Sequence, residues 1–255
     1  MNERLIGAHI IRLNRVDSTN DYVKRKLSTL SAGTVVIAAE QTCGRGRGGH
    51  VWTSCRGKGL TFSIRLSART GARTVPLYHL FPAVAIVDFL RSENIAAQIK
   101  WPNDIVVQGR KIAGILVETI SYSQRVDVIL GIGLNVNDDE ADFPQHLRCS
   151  VGSMKSVSGK EYSLKAVFNK VLEFLDRLYS DVQKEDGWLA LRDKWVDYCA
   201  HIHRPVNIAR KNGAAAGIFR GIDDYGFAVI ESKGQQLVVR DYAHISLRED
   251  HDTRN

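Results

Sequence analysis

The stretch GRGRGGHVWTS, residues 44–54, constrains this chain more than any other. Its four glycines at 44, 46, 48 and 49 bare backbone N–H groups and permit left-handed turns. Arg45 and Arg47 add paired donors that suit phosphate or carboxylate. Gly44, Gly46 and Gly49 fit the dinucleotide fingerprint G-x-G-x-x-G, and Gly44 and Gly49 also fit the start of G-x-x-x-x-G-K-[ST]. The flanks exclude both. A dinucleotide site needs a strand, the glycines, a helix, and an acid about 20 residues on. Here TVVIAAEQ (34–41) supplies a strand, but the loop leads into a second strand, LTFSIRL (60–66), and no acid appears before Asp88. The phosphate loop needs Lys-Ser/Thr after its last glycine, where this chain has His50-Val51. What remains is a loop between two strands. It either bares donors to an anion or is a plain hairpin with solvated arginines.

The charge around the loop leans toward an anion. Residues 41–87 hold seven Arg or Lys and no Asp or Glu, within a chain of 255 residues and net charge +7. Such a field attracts phosphates or an acidic partner, and nucleic acid is the other class it fits. A solvated basic face is the bland alternative. Apolar content of 44% supports an ordinary core, and no run of apolar residues is long enough to span a membrane. The start is too charged for a signal peptide. Cysteines at 43, 55, 149 and 199 form no C-x-x-C pair, so a reduced, cytosolic protein is expected.

Along the chain, VDSTNDYVKRKLSTL predicts a short helix capped by Ser18, with Asp21 three residues on. Residues 75–94 predict a helix opened by Pro76, with Pro82 expected to kink it or move its start. Strand-like runs on both sides of Gly109 predict a hairpin, and 125–137 a further buried strand. Residues 138–163 have little periodicity and predict a long mobile loop. Leu164, Phe168, Val171, Leu175 and Leu178 predict a helical core stripe behind a cap at Ser163 or its neighbour, and 187–199 predict another helix. After Cys199, short strands with turns at Asn212-Gly213, Asp224-Tyr225-Gly226 and Lys233-Gly234 predict a small β-barrel of about fifty residues. The expected division is therefore 1–200 and 201–255, with the tail REDHDTRN frayed.

Four stretches together carry a resemblance. EQTCGRGRGGHVW, VDSTN (16–20), KWPNDI (100–105) with RKIAGILVE (110–118), and GIGLNVN (131–137) resemble the biotin protein ligases in order and spacing. RPVNI, GIFRGIDDYGF and ISLR resemble that family's closing barrel, so the resemblance covers nearly the whole chain. It implies an α+β fold: a mixed β-sheet with flanking helices, the class II synthetase-like catalytic domain, plus a small SH3-like β-barrel. It implies ATP-dependent ligation of biotin to a lysine of a biotin carboxyl carrier protein through biotinyl-5′-AMP, with Mg2+.

The resemblance also implies roles. Ser18, Thr19, Asn20 and Gln41 match positions that meet biotin's ureido ring, although Ser18 also serves as a helix cap. Arg45, Gly46 and Arg47 match the loop over carboxylate and phosphates, and Trp52 could cover an aromatic ligand. Lys111 matches the family's active-site lysine, bridging carboxylate and α-phosphate; otherwise it is a turn-side lysine after Gly109. Asp104 would orient Lys111, take the attacking amine's proton, or help hold magnesium. Asn103 would orient neighbours or meet ATP, and Asn135 would meet ATP unless it only closes a strand. Gly114 leaves room beside Ile115 and Leu116, which suit biotin's apolar bicycle and chain. No metal ligand set is legible.

Fifteen residues before VDSTN are too few for the DNA-binding module of some family members, so a ligase without repressor function is expected. Neither DNA nor membrane is expected as a partner, and a homodimer is allowed. His50 stands where the family often has a basic residue, and RDYAHISLR lacks the usual Gly-Glu. Two rivals stay open: a lipoate or octanoate ligase or transferase of similar fold, and a basic nucleic-acid-binding protein. The second leaves Lys111, Asp104 and VDSTN without a role.

Overall fold

In the computed structural model, which describes residues 4–69, 74–184, 187–210, 213–240 and 246–249, the alternation of LTFSIRL organises the molecule. It belongs to strand β3 (Gly59–Arg69). Leu60, Phe62, Ile64 and Leu66 join the main core on one face. Thr61, Ser63 and Arg65 alternate with them and are also buried. A strand of period two with both faces covered must lie inside a layered sheet.

That sheet has seven strands, ordered β1-β2-β3-β7-β6-β5-β4. The others are β1 (Ile10–Leu13), β2 (Val35–Ala38), β4 (Gln98–Lys100), β5 (Asp104–Val107), β6 (Arg110–Ser121) and β7 (Arg125–Asn135). β1 and β2 run parallel and the remaining neighbours antiparallel, so the sheet is mixed. Helices α2 (Thr74–Ser92), α4 (Leu164–Val182) and α5 (Gly187–Tyr198) cover the apolar face. Phe62 meets Phe168 of α4 edge to face, with ring centroids 5.4 Å apart. Phe168, Val171, Leu172 and Leu175 are all buried there. At about 1.5–3 kcal/mol per side chain, their burial is what anchors α4. Ser163 caps it by accepting from Ala166 N.

The opposite face is polar at one end and carries α1 (Thr19–Arg25). Ser18 is its N-cap, accepting from Asp21 N. Val23 and Leu27 pack on Val36 and Ile129, a small second core. This holds α1 over β3 and β7 and brings Thr19 and Asn20 down onto the sheet.

Three expectations change. Pro82 lies inside α2, whose start it does not move. Losing one N–H there costs about 3 kcal/mol, which the buried run Leu80, Phe81 and Ala83 to Val87 offsets. Residues 138–163 are not an irregular loop. They form two 3-10 turns (Glu140–Asp142 and Gln145–Leu147) and a short helix α3 (Met154–Ser158). Capping replaces periodicity: Ser153 and Ser156 cap each other reciprocally, as do Asp139 and Asp142. Third, Arg248 and Glu249 of the expected frayed tail are paired in a strand.

The β5–β6 turn has Gln108 and Gly109 at φ 51 and 78. Two consecutive positive φ values are what a two-residue hairpin needs. After α5 the chain forms a second, antiparallel sheet ordered β11-β10-β9-β8-β12. Its strands are β8 (Pro205–Arg210), β9 (Gly213–Ile222), β10 (Ala228–Ser232), β11 (Gln235–Val239) and β12 (Ser246–Glu249). The division at residue 200 falls between α5 and β8. Asp223 holds the expected turn by accepting from Tyr225 N and Phe227 N. Asn212, residues 241–245 and residues 250–255 lie outside the described residues. Among the described residues no helix is long and apolar enough to cross a membrane.

Candidate active site

The polar face of the sheet has a notch where side chains are missing. Gly114 of β6 pairs with Gly133 of β7, and Gly131 lies two residues before it. A Cβ on Gly133 would stand 2.2 Å from the Trp52 indole, and one on Gly131 would stand 2.3 Å from Asn20 Oδ1. These glycines are therefore required by close approach. Above them opens a cavity of about 570 Å³, within the range of small-molecule sites.

Ser18, Thr19, Asn20 and Gln41 line this cavity. So do Arg45, Gly46, Arg47 and Trp52 of the glycine loop, and Asn103, Asp104, Lys111 and Gly114 from the β5–β6 hairpin. Asn135 is the one singled-out residue that does not. It is buried at the end of β7, where its Nδ2 donates to Gly152 O.

Lys111 reaches the cavity because of an irregularity. Pairing runs Ile105 to Ala113, then Val106 to Lys111, so Ile112 is an extra residue on β6. Without that bulge Lys111 would point to the core face. With it, Ile112 and Ala113 both enter the core and Lys111 turns to the ligand side. Lys111 Nζ lies 2.6 Å from Asp104 Oδ1 and 5.5 Å from the Trp52 ring centre. Its backbone is clamped by the segment after β7: Lys111 N donates to Ser150 O, and Gly152 N donates to Lys111 O.

The glycine loop is fastened chiefly through its arginines. Arg45 Nη1 lies 2.6 Å from Asp21 Oδ1 and 3.1 Å from Glu118 Oε1. Arg47 Nη1 donates to Asn103 Oδ1 at 2.9 Å, and Asn103 Nδ2 in turn donates to Ile115 O. The loop backbone adds Gly46 N to His50 O and Trp52 N to Gly44 O.

At the other end Gln41 Oε1 accepts from both Thr19 N and Thr19 Oγ1. Beneath them lies Ser63, fully buried, with Glu118 beyond. Burial opposes ionisation of Glu118. Hydrogen bonds from Lys24 and Asn20, with the charges of Lys24 and Arg45, outweigh it and hold the carboxyl below its ordinary range. Sequence reasoning gave Ser63 and Glu118 no role. The signal for Ser63 was the polar half of the β3 alternation, and Glu118 closes the quoted AGILVE. Neither lines the cavity, which is why ligand-centred reading passes over them.

The cavity thus joins a hydrogen-bonding end, where Thr19, Asn20 and Gln41 line the wall and Arg45 is balanced by Asp21 and Glu118, to an end holding Lys111 and Arg47. About 13 Å of β6 separates Gly114 from Glu118. An elongated ligand with a neutral polar head and an anionic tail fits this division.

Comparison with known proteins points the same way. The Biotin/lipoate A/B protein ligase family matches residues 13–135, and the Biotin protein ligase C terminal domain matches residues 201–248. The bifunctional ligase/repressor BirA of Bacillus spizizenii is 34% identical over 233 residues, covering 90% of this chain and 71% of that protein. The biotin–[acetyl-CoA-carboxylase] ligase of Paracoccus denitrificans is 31% identical over 238 residues, covering 89% of this chain and 96% of that one. Among solved structures, a biotin protein ligase from Aquifex aeolicus in complex with biotin and ATP superposes with TM-score 0.81 at 27% identity, covering 96% of this chain and 100% of that one. With catalytic and C-terminal segments both matched, and relatives spanned over most of their length, the chain belongs to the biotin protein ligase family.

Proposed function

We propose that this protein is an ATP-dependent ligase that joins biotin to a lysine of a biotin carboxyl carrier domain. The observation that carries the reading is the division of one cavity into a hydrogen-bonding end of Thr19, Asn20 and Gln41 and a cationic end built on Lys111 and Arg47. Two anions must meet in the first step. A biotin carboxylate oxygen attacks the α-phosphorus of ATP, the bond to the β-phosphate oxygen breaks, and pyrophosphate leaves with that electron pair. Lys111 and Arg47 supply positive charge at the place where negative charge accumulates, which is the main lever available to such a site. In the second step the carrier's neutral lysine amine attacks the acyl carbon of biotinyl-5′-AMP, an amide forms, AMP departs with the electron pair of the broken acyl–oxygen bond, and the amine's proton passes to solvent.

In this proposal Asp104 orients Lys111; its 2.6 Å ion pair supports that role. Asn103 supports the phosphate end by holding Arg47. Trp52, seated on Gly114 and Gly133, would cover the adenylate. Asn135, braced to Gly152, acts by shaping the turn that clamps Lys111 rather than by touching ATP. Mg2+ accompanies the triphosphate. Asp104 is the only carboxylate among the described lining residues, and no group of three or more described His, Cys, Asp or Glu could hold a metal. Asp104 is thus the side chain that would help hold such an ion, which would neutralise triphosphate charge during the displacement.

The test is pyrophosphate release with ATP and magnesium, comparing biotin, lipoate, octanoate and no acid, with hydroxylamine trapping the acyl-adenylate. Release that requires biotin and is weak with the other acids is expected. Release driven by lipoate or octanoate instead moves the chain to the sister activity. No release with any acid removes the reading.

A further inference from the structure

A carboxamide can present its oxygen or its NH2 group to a ligand, because rotation by 180° exchanges them at little steric cost. Asn20, buried to 3% exposure on the cavity wall, has lost that freedom. Its Nδ2 donates to Glu118 Oε2 at 3.0 Å. Glu118 is an acceptor only, kept so by Lys24 Nζ at 2.9 Å and Arg45 Nη1 at 3.1 Å. Asn20 Oδ1 is thereby turned to Ser63 Oγ, 2.5 Å away.

The consequence propagates. Ser63 has one hydroxyl proton, and Asn20 Oδ1 has none to give, so Ser63 donates to Asn20. That one proton is shared with Thr19 Oγ1, 2.7 Å away, toward which Ser63 is likewise the donor. The Thr19 proton points inward to Gln41 Oε1 at 3.0 Å. Gln41 Oε1 is already held by Thr19 N at 2.7 Å. The cavity is left with a Thr19 lone pair as acceptor, and with the remaining amide protons of Asn20 and Gln41 as donors. An acceptor beside donors complements a cyclic urea, which offers N–H groups and a carbonyl.

We propose that Glu118 and Ser63 are positioning residues that set the donor–acceptor polarity of this end of the cavity, and so select a cyclic urea over a donor-only guanidino ring. This rests on the biotin-ligase reading. Glu118 fixes the amide, and Ser63 transmits its orientation to Thr19. Gly131 is the spatial condition, since a side chain there would evict the Asn20 amide.

The test uses the full chain and two probes, biotin and 2-iminobiotin, in which a guanidino group replaces the urea. Pyrophosphate release is measured at saturating ATP for the wild type, Glu118→Gln, Ser63→Ala and Ser63→Thr. The wild type is expected to favour biotin in kcat/KM by about a hundredfold or more. Glu118→Gln and Ser63→Ala are expected to raise KM for biotin about tenfold. Both should shrink the biotin preference by about tenfold, and Ser63→Ala, which touches no charge on the glycine loop, should leave kcat and KM for ATP nearly unchanged. Ser63→Thr, which keeps a hydroxyl, should restore most of it. A preference unchanged in both variants overturns the proposal, as does a KM that rises equally for both probes. If Ser63→Ala does not fold, Glu118→Gln decides alone, since it keeps the side chain's shape on a partly exposed site. A wild type that ignores biotin altogether is a different failure, that of the ligase reading itself.

Discussion

Residues 44–52 and 138–163 look alike as sequence, polar and glycine-containing without an apolar period, yet they are fastened by different means. The first is held by few backbone bonds and by arginines reaching to Asp21, Glu118 and Asn103. Those are charged or polar contacts that a phosphate or carboxylate can replace. The second is held by buried anchors and reciprocal caps. Met154 and Ser153 are fully buried, Phe143 nearly so, and Ser153 Oγ donates to Asp138 O. Lys155 N donates to Val136 O, and Asn137 and Tyr162 exchange two hydrogen bonds. A ligand can compete for the first set and not for the second. The glycine loop is thus the segment expected to move on ligand binding, while 138–163 clamps Lys111 from behind.

The largest effect expected from this contrast is chemical. Lys111→Ala removes the side chain and leaves both backbone clamps to Ser150 and Gly152 in place. Adenylate formation should fall by a factor of about 10²–10³ or more. Stability should move by less than about 0.5 kcal/mol, because the side chain is partly exposed. Single-turnover trapping of the acyl-adenylate and a thermal melt read the two quantities separately. Near-normal turnover would remove the central residue assignment.

Next is stability. Met154→Ala opens a cavity under 138–163 and should cost about 2–5 kcal/mol, with turnover falling through a displaced Lys111. Arg45→Ala, in the glycine loop, should leave the melt nearly unchanged, since ion pairs of this exposure contribute about 0–1 kcal/mol. Equal melts for the two variants would erase the distinction between the two segments.

How much of this was legible depended on what kind of force does the holding. The β3 alternation, the Ser18 and Ser163 caps, the Gly109 hairpin and the α4 stripe are local patterns, and each matches the structure. Capping pairs in 138–163 are local too, but serines and aspartates also mark loops, so they carry no periodic signal. Pro82 was misweighed because burial of the residues around it outbids a local rule. The cavity residues came largely from motif resemblance, and the structure places all but Asn135 on one surface. The Ile112 bulge that aims Lys111, and the Asn20–Ser63 and Asn20–Glu118 contacts across 43 and 98 residues, depend on tertiary pairing. No window of the chain contains them.

Limited proteolysis sharpens the contrast further. Trypsin should cut after Arg45 or Arg47 in the free protein, and biotin with ATP should slow that cleavage several-fold, because closure trades solvent for ligand contacts. Cleavage at Arg148, Lys155 and Lys160 should be slow throughout. Equal protection of both segments by ligands would mean that 138–163 also opens, and that the clamp on Lys111 forms only on binding.

The smallest effect is electrostatic and tests the ion pairs that fasten the glycine loop. Glu118 is depressed below its ordinary value of 4.5, so it binds a proton less readily folded than unfolded. Its contribution to stability is therefore present above 4.5 and is lost as pH falls through its lower folded value. Asp17, held down to about 2 chiefly by its hydrogen bond with Arg25, and Asp142, depressed chiefly by Lys58, also titrate in acid. They do so in the wild type and in Glu118→Gln alike. The difference between the two melts isolates Glu118. That difference should be constant from neutral pH down to about 5 and shrink below 4.5, as protonation releases Lys24 and Arg45. A difference that persists undiminished into acid would mean that Glu118 holds the loop by shape rather than by charge, and that Asp21, 2.6 Å from Arg45 Nη1, carries the electrostatic hold.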